Sequence, residues 1–271
     1  MAPRVTVFGS CRVYTPCDLL QKKGVLKLNQ KNIFGYTHYA KEIYQQFEFV
    51  SGARPVPARL RPFLNIPSYW EAPPAADLSS FHTLFSETDI FVVEVSSIRE
   101  VVFKSVFLQI NRVQELLAPD EAVLTKWWKP ILRTGVNDVN AYPLDRATPV
   151  DAEVVKSLVI REQTTDQLEA DIRRIMNFVE KPIIFVSHFD TDYDRTSIPQ
   201  RRMIIDTLSR VCRRPGVHVF DPTTEVLDAG LDVAITDLGH YKPSFEPHIA
   251  ECLGRVIEKV PLHDEPVAMR A

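Results

Sequence analysis

Residues 5–11 read VTVFGSC, and this stretch decides the fold. Residues 5–8 are a short apolar run with β-branched members, which is typical of a buried strand. Residues 16–23, PCDLLQKK, predict a helix, because Pro16 suits the first helical position and Gly24 suits the position after the last. The chain is therefore expected to begin with a strand, a tight Gly-Ser-Cys turn and a helix.

The same alternation of strand and helix continues along the rest of the sequence. Further strands are predicted at residues 89–95, 183–186 and 217–221. Apolar residues at helical spacing predict helices at residues 37–50, 101–117, 164–180, 200–212 and 244–260. The run DIFVVEV, at 89–95, is almost continuously apolar, as in strands buried on both faces of a parallel sheet. We expect an α/β fold of three layers, α/β/α, flavodoxin-like, with a mostly parallel sheet and helices on both faces.

A single domain is expected over residues 1–271, since no repeat, low-complexity tract or linker divides the chain. Two irregular stretches interrupt the pattern. Residues 51–77 contain six prolines and predict a long excursion, and residues 118–150 predict an insertion. Within the insertion, Trp127 and Trp128 lie beside basic residues. This aromatic and basic cluster either binds a sugar or nucleotide-bearing substrate by stacking and charge, or consists of hydrophobic core residues with a solvated rim.

Composition and charge argue against several classes of protein. The 271 residues are 45% hydrophobic and 25% charged, with a formal net charge of −3, which argues against disorder, nucleic-acid binding and attraction to an anionic membrane. No apolar run has the length of a signal peptide or a membrane helix, so we expect no membrane span and a cytoplasmic location. Because HExxH, CxxC, Walker and GxGxxG patterns are missing, we expect no metal site and neither a nucleotide-hydrolysing nor a dinucleotide-binding enzyme.

Polar segments are expected at the carboxyl ends of the strands, where open α/β sheets place their active sites. Three of these segments are residues 9–11, 94–97 and 187–190. The fourth is residues 237–240, which precede the last predicted helix. Cys11 is the candidate nucleophile, since a thiol near a helix N-terminus is favoured as the thiolate. His240 is the candidate base, and Asp237 is placed to orient its ring. These residues predict covalent catalysis through a thioester on Cys11.

The first and last of these segments resemble motifs of the SGNH/GDSL hydrolase superfamily. That family opens with a strand and a Gly-Asp-Ser turn, and its nucleophilic serine falls on Cys11 of this chain. It closes with Asp-x-x-His, which is matched by Asp237 and His240. The Gly-Ser-Cys opening is similar to two cysteine-bearing branches. One is named for a Gly-Ser-Cys-Phe-Ala motif, and the other includes proteins classed as acetyltransferases of capsular polysaccharide biosynthesis.

The middle signature of the same superfamily, Gly-x-Asn-Asp, is matched by residues 135–138. By this resemblance Asn137 would help to bind the oxyanion. Ser96, after the strand at 89–95, is the better positioned candidate for that role. The other expected oxyanion donors are the backbone N–H of Cys11 or Arg12 and the side chain of Ser10, and such donors are typically worth about 3 kcal/mol each.

The resemblance implies an acyltransferase or ester hydrolase that acts on a glycan or a similar hydroxyl substrate. It implies no required cofactor, and it allows acyl-coenzyme A as the donor. Two alternatives stay open: an esterase that uses Ser10, and a binding or assembly protein that keeps the fold without turnover. Hydrogen-bond reach between Cys11 and His240 is the feature that discriminates. His38 and His188 either line the pocket or make structural hydrogen bonds, and the oligomeric state is not predicted.

Overall fold

The computed structural model describes residues 2–30, 36–64 and 85–261. Its strands, in chain order, are β1 (Arg4–Phe8), β2 (Lys27–Gln30), β3 (Ile90–Val95), β4 (Arg99–Phe103), β5 (Val106–Phe107), β6 (Leu158–Glu162), β7 (Ile183–Ser187), β8 (Val217–Phe220), β9 (Ile235–Asp237) and β10 (His240–Tyr241). Its α-helices are α1 (Cys11–Lys22), α2 (Ala40–Ser51), α3 (Ile110–Leu117), α4 (Glu121–Val123), α5 (Lys129–Thr134), α6 (Pro149–Ser157), α7 (Thr165–Phe178), α8 (Pro199–Val211), α9 (Thr223–Ala229), α10 (Leu231–Ala234) and α11 (Glu246–Ile257).

The central sheet has five parallel strands in the order β2-β1-β3-β7-β8. Along β3, Phe91, Val93 and Val95 pack into one apolar core, and Ile90 and Val92 pack into the other. Residues of α2, α7 and α8 complete the first core, and residues of α1 and α11 complete the second. The expected three-layer α/β/α fold is confirmed. The carboxyl ends of the strands meet at one edge of this sheet, where an active site is expected.

The first helix begins earlier than expected. α1 starts at Cys11, because the side chain of Ser10 caps it, and Pro16 lies inside the helix. The prediction that Pro16 is the first helical residue is therefore wrong. Cys11 therefore lies in the first turn of α1, where backbone N–H groups have no partner within the helix.

A smaller antiparallel sheet, in the order β5-β4-β6, follows β3. The helix expected over residues 101–117 is wrong in its first half, because residues 101–103 belong to β4 and α3 begins at Ile110. Val101 and Val102 are β-branched and suit a half-buried strand better than a helix.

The stretch expected to be an insertion contains α4, a π-helical turn at Leu124–Trp128 and α5 in one continuous run. Trp127 and Trp128 are buried, and their Nε1–H groups donate to Asn137 Oδ1 and Gln114 Oε1. Both rings are therefore core and present no face to a sugar. Part of the proline-rich excursion forms a 3₁₀-helix, Ala58–Leu64, and residues 65–77 of it lie outside the described residues. No helix in the described parts of the chain has the length and apolar character needed to cross a membrane.

Candidate active site

The turn that joins β1 to α1 packs tightly against the end of β3. A Cβ atom added at Gly9 would lie 2.7 Å from Glu94 Cβ, so the two backbones approach as closely as they do because residue 9 is glycine. Ser10 is buried, and its Oγ accepts a hydrogen bond of 3.3 Å from Arg12 N. The Ser10 hydroxyl thus caps α1.

The Glu94 carboxylate lies at the centre of this arrangement and is fully buried. Its Oε2 accepts a hydrogen bond of 2.5 Å from the backbone N–H of Ser10. Its Oε1 accepts one of 2.8 Å from Arg12 Nε and lies 2.7 Å from Arg12 Nη2. A buried carboxylate needs partners of this kind, because an unpaired charge is costly to remove from water.

The Cys11 thiol is partly exposed, at the N-terminus of α1. Burial raises its pKa; the Arg12 charge and the first-turn N–H groups lower it, and the Glu94 charge raises it further. The net shift is upward, so the expectation of a thiolate favoured by the helix N-terminus is wrong for this structure. Desolvation of the charged sulfur outweighs the helix terminus.

Asp237 and His240 form a hydrogen-bonded pair in the turn between β9 and β10. His240 Nδ1 lies 2.9 Å from Asp237 Oδ1 and 3.0 Å from Oδ2, so Nδ1–H donates and Nε2 is left as the basic nitrogen. The backbone N–H of Gly239 donates to Asp237 Oδ1 at 2.6 Å. That bond, followed by the contact with His240, lowers the pKa of Asp237. Both side chains of the pair are more than half exposed.

Two arginines connect this exposed turn to the rest of the site. Arg12 Nη1 donates to Gly239 O at 2.7 Å, and Arg201 Nη2 donates to Leu238 O at 2.6 Å. The residue next to Cys11 therefore contacts the residue next to His240. Among the described residues, no hydrogen bond joins the Cys11 thiol itself to the His240 imidazole. Catalytic hydrogen bonds are often long before substrate binds and tighten in the complex.

His188 is buried after β7, and its Nδ1–H donates to Phe189 O at 3.2 Å. Burial, followed by the charges of Arg12 and Arg201, holds the pKa of His188 well below its usual range. The ring is neutral at pH 7 and keeps Nε2 as an acceptor. Phe189 O also accepts from Arg201 Nη1 at 2.9 Å, so His188 shares an acceptor with the arginine that binds the His240 turn.

His38 and Ser96 meet at the same edge of the sheet. The N–H groups of Ser96 and Ser97 both donate to His38 O at 2.9 Å. Asn111 Nδ2 donates to His38 Nε2 at 3.3 Å, which leaves Nδ1–H to donate to Ser96 Oγ at 3.4 Å. Burial lowers the pKa of His38 to about 4, so this ring is also neutral at pH 7.

Asn137 does not join this cluster. Its Oδ1 accepts from Trp127, and its Nδ2 donates to Val155 O at 2.6 Å and Leu158 O at 3.1 Å. Both the oxygen and the nitrogen of the Asn137 amide are therefore used in hydrogen bonds that stabilise the insertion. The Gly-x-Asn-Asp match at residues 135–138 has a structural role here. No group of three or more His, Cys, Asp or Glu side chains within the described ranges could hold a metal ion.

Glu94, Arg201 and Asn111 contribute to the site although no role was predicted for any of them, and Glu94 was included only as part of the polar segment 94–97. Glu94 carried a signal, because it is the one charged residue inside the apolar run IFVVEV at 90–95. A carboxylate in a buried strand is rarely there without a partner. Arg201 lies in an ordinary amphipathic helix and Asn111 in a short one, and neither position is distinguished by a local pattern.

Two comparisons with known proteins match this chain. A family model for the TviD N-terminal domain matches residues 3–255. The Vi polysaccharide biosynthesis protein TviD of Salmonella typhi is 23% identical over 256 residues, which cover 89% of this chain and 30% of that protein. The chain thus spans about a third of the length of this relative.

Proposed function

We propose that this chain, which belongs to the TviD N-terminal domain family, is an acyltransferase that works through an acyl-thioester on Cys11. His240 is the base in this proposal, and Asp237 orients it. The observation that carries the proposal is the Asp237–His240 pair, in which the contact through Nδ1 leaves His240 Nε2 available for proton transfer. The turn that contains this pair is hydrogen-bonded to Arg12, the residue after Cys11. The order strand, Gly-Ser-Cys turn, helix and late Asp-x-x-His resembles that of the SGNH/GDSL superfamily, which supports the proposal.

Two balanced steps make up the reaction. In the first, Cys11 Sγ attacks the carbonyl carbon of an acyl thioester, and His240 Nε2 takes the thiol proton. The donor C–S bond breaks, and the leaving thiolate receives that proton. In the second, a hydroxyl oxygen of the acceptor attacks the thioester on Cys11 and gives its proton to His240 Nε2. The bond to Cys11 then breaks, and the thiol is restored with that proton.

The raised pKa of Cys11 determines how the first step proceeds. Because the thiol is protonated at neutral pH, the base must remove its proton as the attack occurs. In this proposal the backbone N–H of Cys11 binds the oxyanion that develops, which is supported by its location in the first turn of α1, where N–H groups have no partner within the helix. His38 and His188 contribute polar rings at this edge of the sheet, and both are neutral at pH 7.

A glycan hydroxyl is the acceptor that the comparisons favour. The matched relative is described as a polysaccharide biosynthesis protein. An acyl-coenzyme A is the donor class that supplies an activated thioester. If water replaced the glycan hydroxyl, the same steps would make the chain an ester hydrolase.

Ser10 is less suited than Cys11 to be the nucleophile. Its side chain is buried, and its Oγ is engaged in capping α1. Cys11 is more accessible and directly follows the cap. These contacts support the cysteine mechanism over the serine alternative.

The proposal is tested by a transfer assay with radiolabelled acetyl-coenzyme A and a deacetylated capsular polysaccharide. We expect label to enter the polysaccharide with the wild-type chain and with Cys17→Ala, but not with Cys11→Ala. Transfer that survives in Cys11→Ala would overturn the proposal. A complete lack of transfer and of donor hydrolysis by the wild type would instead favour a binding or assembly protein.

A further inference from the structure

The turn of His240 and the turn of Cys11 are joined by side chains that do not belong to the proposed catalytic group. We infer that Arg12 and Arg201 are positioning residues, which set where the His240 imidazole stands relative to Cys11. The inference rests on the proposed function, because it assigns a task to residues that act only through His240.

Arg12 connects the two turns by one guanidinium group. Its Nε and Nη2 face Glu94 Oε1, and its Nη1 donates to Gly239 O. Glu94 Oε2 in turn holds the backbone N–H of Ser10. The backbone before Cys11 and the backbone before His240 are thus linked by a single ion pair, which is almost completely shielded from water.

Arg201 holds the same turn from another element. Its Nη1 donates to Phe189 O at 2.9 Å, while Nη2 donates to Leu238 O. The guanidinium also lies over the Phe189 ring, 5.0 Å from its centroid. Arg201 therefore ties the turn to the segment that follows β7, as Arg12 ties it to the segment that follows β1.

The arginines add polar contacts to a turn whose apolar residues are already anchored, since Ile235 and Tyr241 are buried in the second core and Leu238 packs against it. β9 and β10 form a sheet of only two short strands, with an irregular register beside His240. The side chains of Asp237 and His240 are more than half exposed, so the apolar anchors of the turn leave them in contact with water. The two arginines bind successive carbonyl oxygens, Leu238 O and Gly239 O, which fixes both the position and the orientation of the turn. A misplacement of about 1 Å in such a group costs up to about 100-fold in rate.

Lysine substitutions test this role with the charge retained. A lysine ammonium cannot replace the planar fork of arginine, which binds two acceptors in fixed directions. Arg12→Lys and Arg201→Lys are therefore expected to slow acylation of Cys11 by p-nitrophenyl acetate by about 10- to 100-fold. Arg202→Lys is the matched control, because Arg202 is adjacent on α8 but pairs with Asp190.

The deciding comparison places each lysine variant in a His240→Ala background. If the arginines act through His240, the further slowing disappears once the imidazole is gone. The same fold-slowing in both backgrounds would show a role independent of His240 and would overturn the inference.

Hydrogen–deuterium exchange gives a second readout that needs no acylation. Exchange in residues 236–241 is expected to accelerate in Arg12→Lys and Arg201→Lys, and to stay unchanged in Arg202→Lys. Unchanged exchange in all three variants would also overturn the inference. Failure of the wild type to acylate Cys11 at all would overturn the proposed function, and the exchange result would still decide whether the arginines hold the turn.

Discussion

A carboxylate lies at each of the two turns of the candidate site, and the two carboxylates stand in opposite surroundings. Glu94, against the Cys11 turn, is 0% exposed and binds a backbone N–H and an arginine. Asp237, in the His240 turn, is 52% exposed and binds an imidazole that is itself 58% exposed. The Cys11 turn is thus held by a buried ion pair, whereas the side chains of the Asp237–His240 pair stay in contact with water, as the proposed roles of nucleophile and base require. Arg12 contacts both turns.

Removal of the buried charge is expected to have the largest effect. Glu94→Gln leaves the Arg12 guanidinium buried without its counter-ion, and breaking a buried pair in this way typically costs about 3–5 kcal/mol. We expect a loss of that size in the free energy of unfolding, measured by urea denaturation, together with loss of acyl transfer.

Glu153→Gln is the matched control for that measurement. Glu153 pairs with Arg59 and Lys104 at the surface, so its substitution is expected to have little effect on unfolding. Equal losses in the free energy of unfolding would show that the burial of Glu94 makes no difference, and would contradict the contrast between the buried and the exposed carboxylate.

Removal of the exposed imidazole is expected to affect chemistry and not stability. His240→Ala takes away the proposed proton acceptor, and such groups contribute about 100- to 10,000-fold to rate. The free energy of unfolding should stay unchanged, because the ring is mostly in water. His248→Ala serves as the control in the transfer assay, and wild-type transfer by His240→Ala would exclude His240 as the base.

The sequence was informative about the strands of the central sheet for a physical reason. β1, β3, β7 and β8 are apolar runs bounded by turn signals, and all four were predicted. β2 reads KLNQ and was missed because it has no apolar run. It forms a strand because it pairs with β1, and the local sequence does not show that pairing. Residues 101–107 were assigned to a helix, although their β-branched content favours the strand that forms.

Substitution of Gly9 probes the close packing of the Cys11 turn, with a smaller expected effect. In Gly9→Ala the added methyl meets Glu94 Cβ at 2.7 Å, so the strand or the carboxylate must move. Overpacking of this kind costs about 1–3 kcal/mol. Thermal unfolding measures it, with Gly254→Ala as the control, since there the nearest contact is the flexible end of Leu20 at 3.1 Å. A larger loss in Gly254→Ala would contradict the account.

The smallest expected effect is the pH dependence contributed by Asp237. Its pKa is lowered in the folded chain, so its stabilising contribution is present above the unfolded value of about 3.9 and is lost as the pH falls through the lower folded value. The difference in Tm between the wild type and Asp237→Asn should therefore shrink between about pH 5 and about pH 2. A difference that grows on acidification would contradict this sign.

The site was predictable from the sequence only where its signal is local. Cys11, Asp237 and His240 stand in short motifs beside strand ends, and the expected Asp237–His240 contact is formed. The pairing of Glu94 with Arg12 spans 82 positions along the chain and depends on the packing of β1 against β3. The upward shift in the pKa of Cys11 depends on burial, which the sequence does not give.

The central claim is that Cys11 carries the acyl group, and rapid-quench mass spectrometry of the acylated chain tests it most directly. After brief exposure to p-nitrophenyl acetate, acid quench and proteolysis, we predict one acyl group on the peptide that contains Cys11, none on Cys17, and slower formation in His240→Ala. A peptide that is acylated on Ser10, or no acyl-peptide at all, would contradict the account.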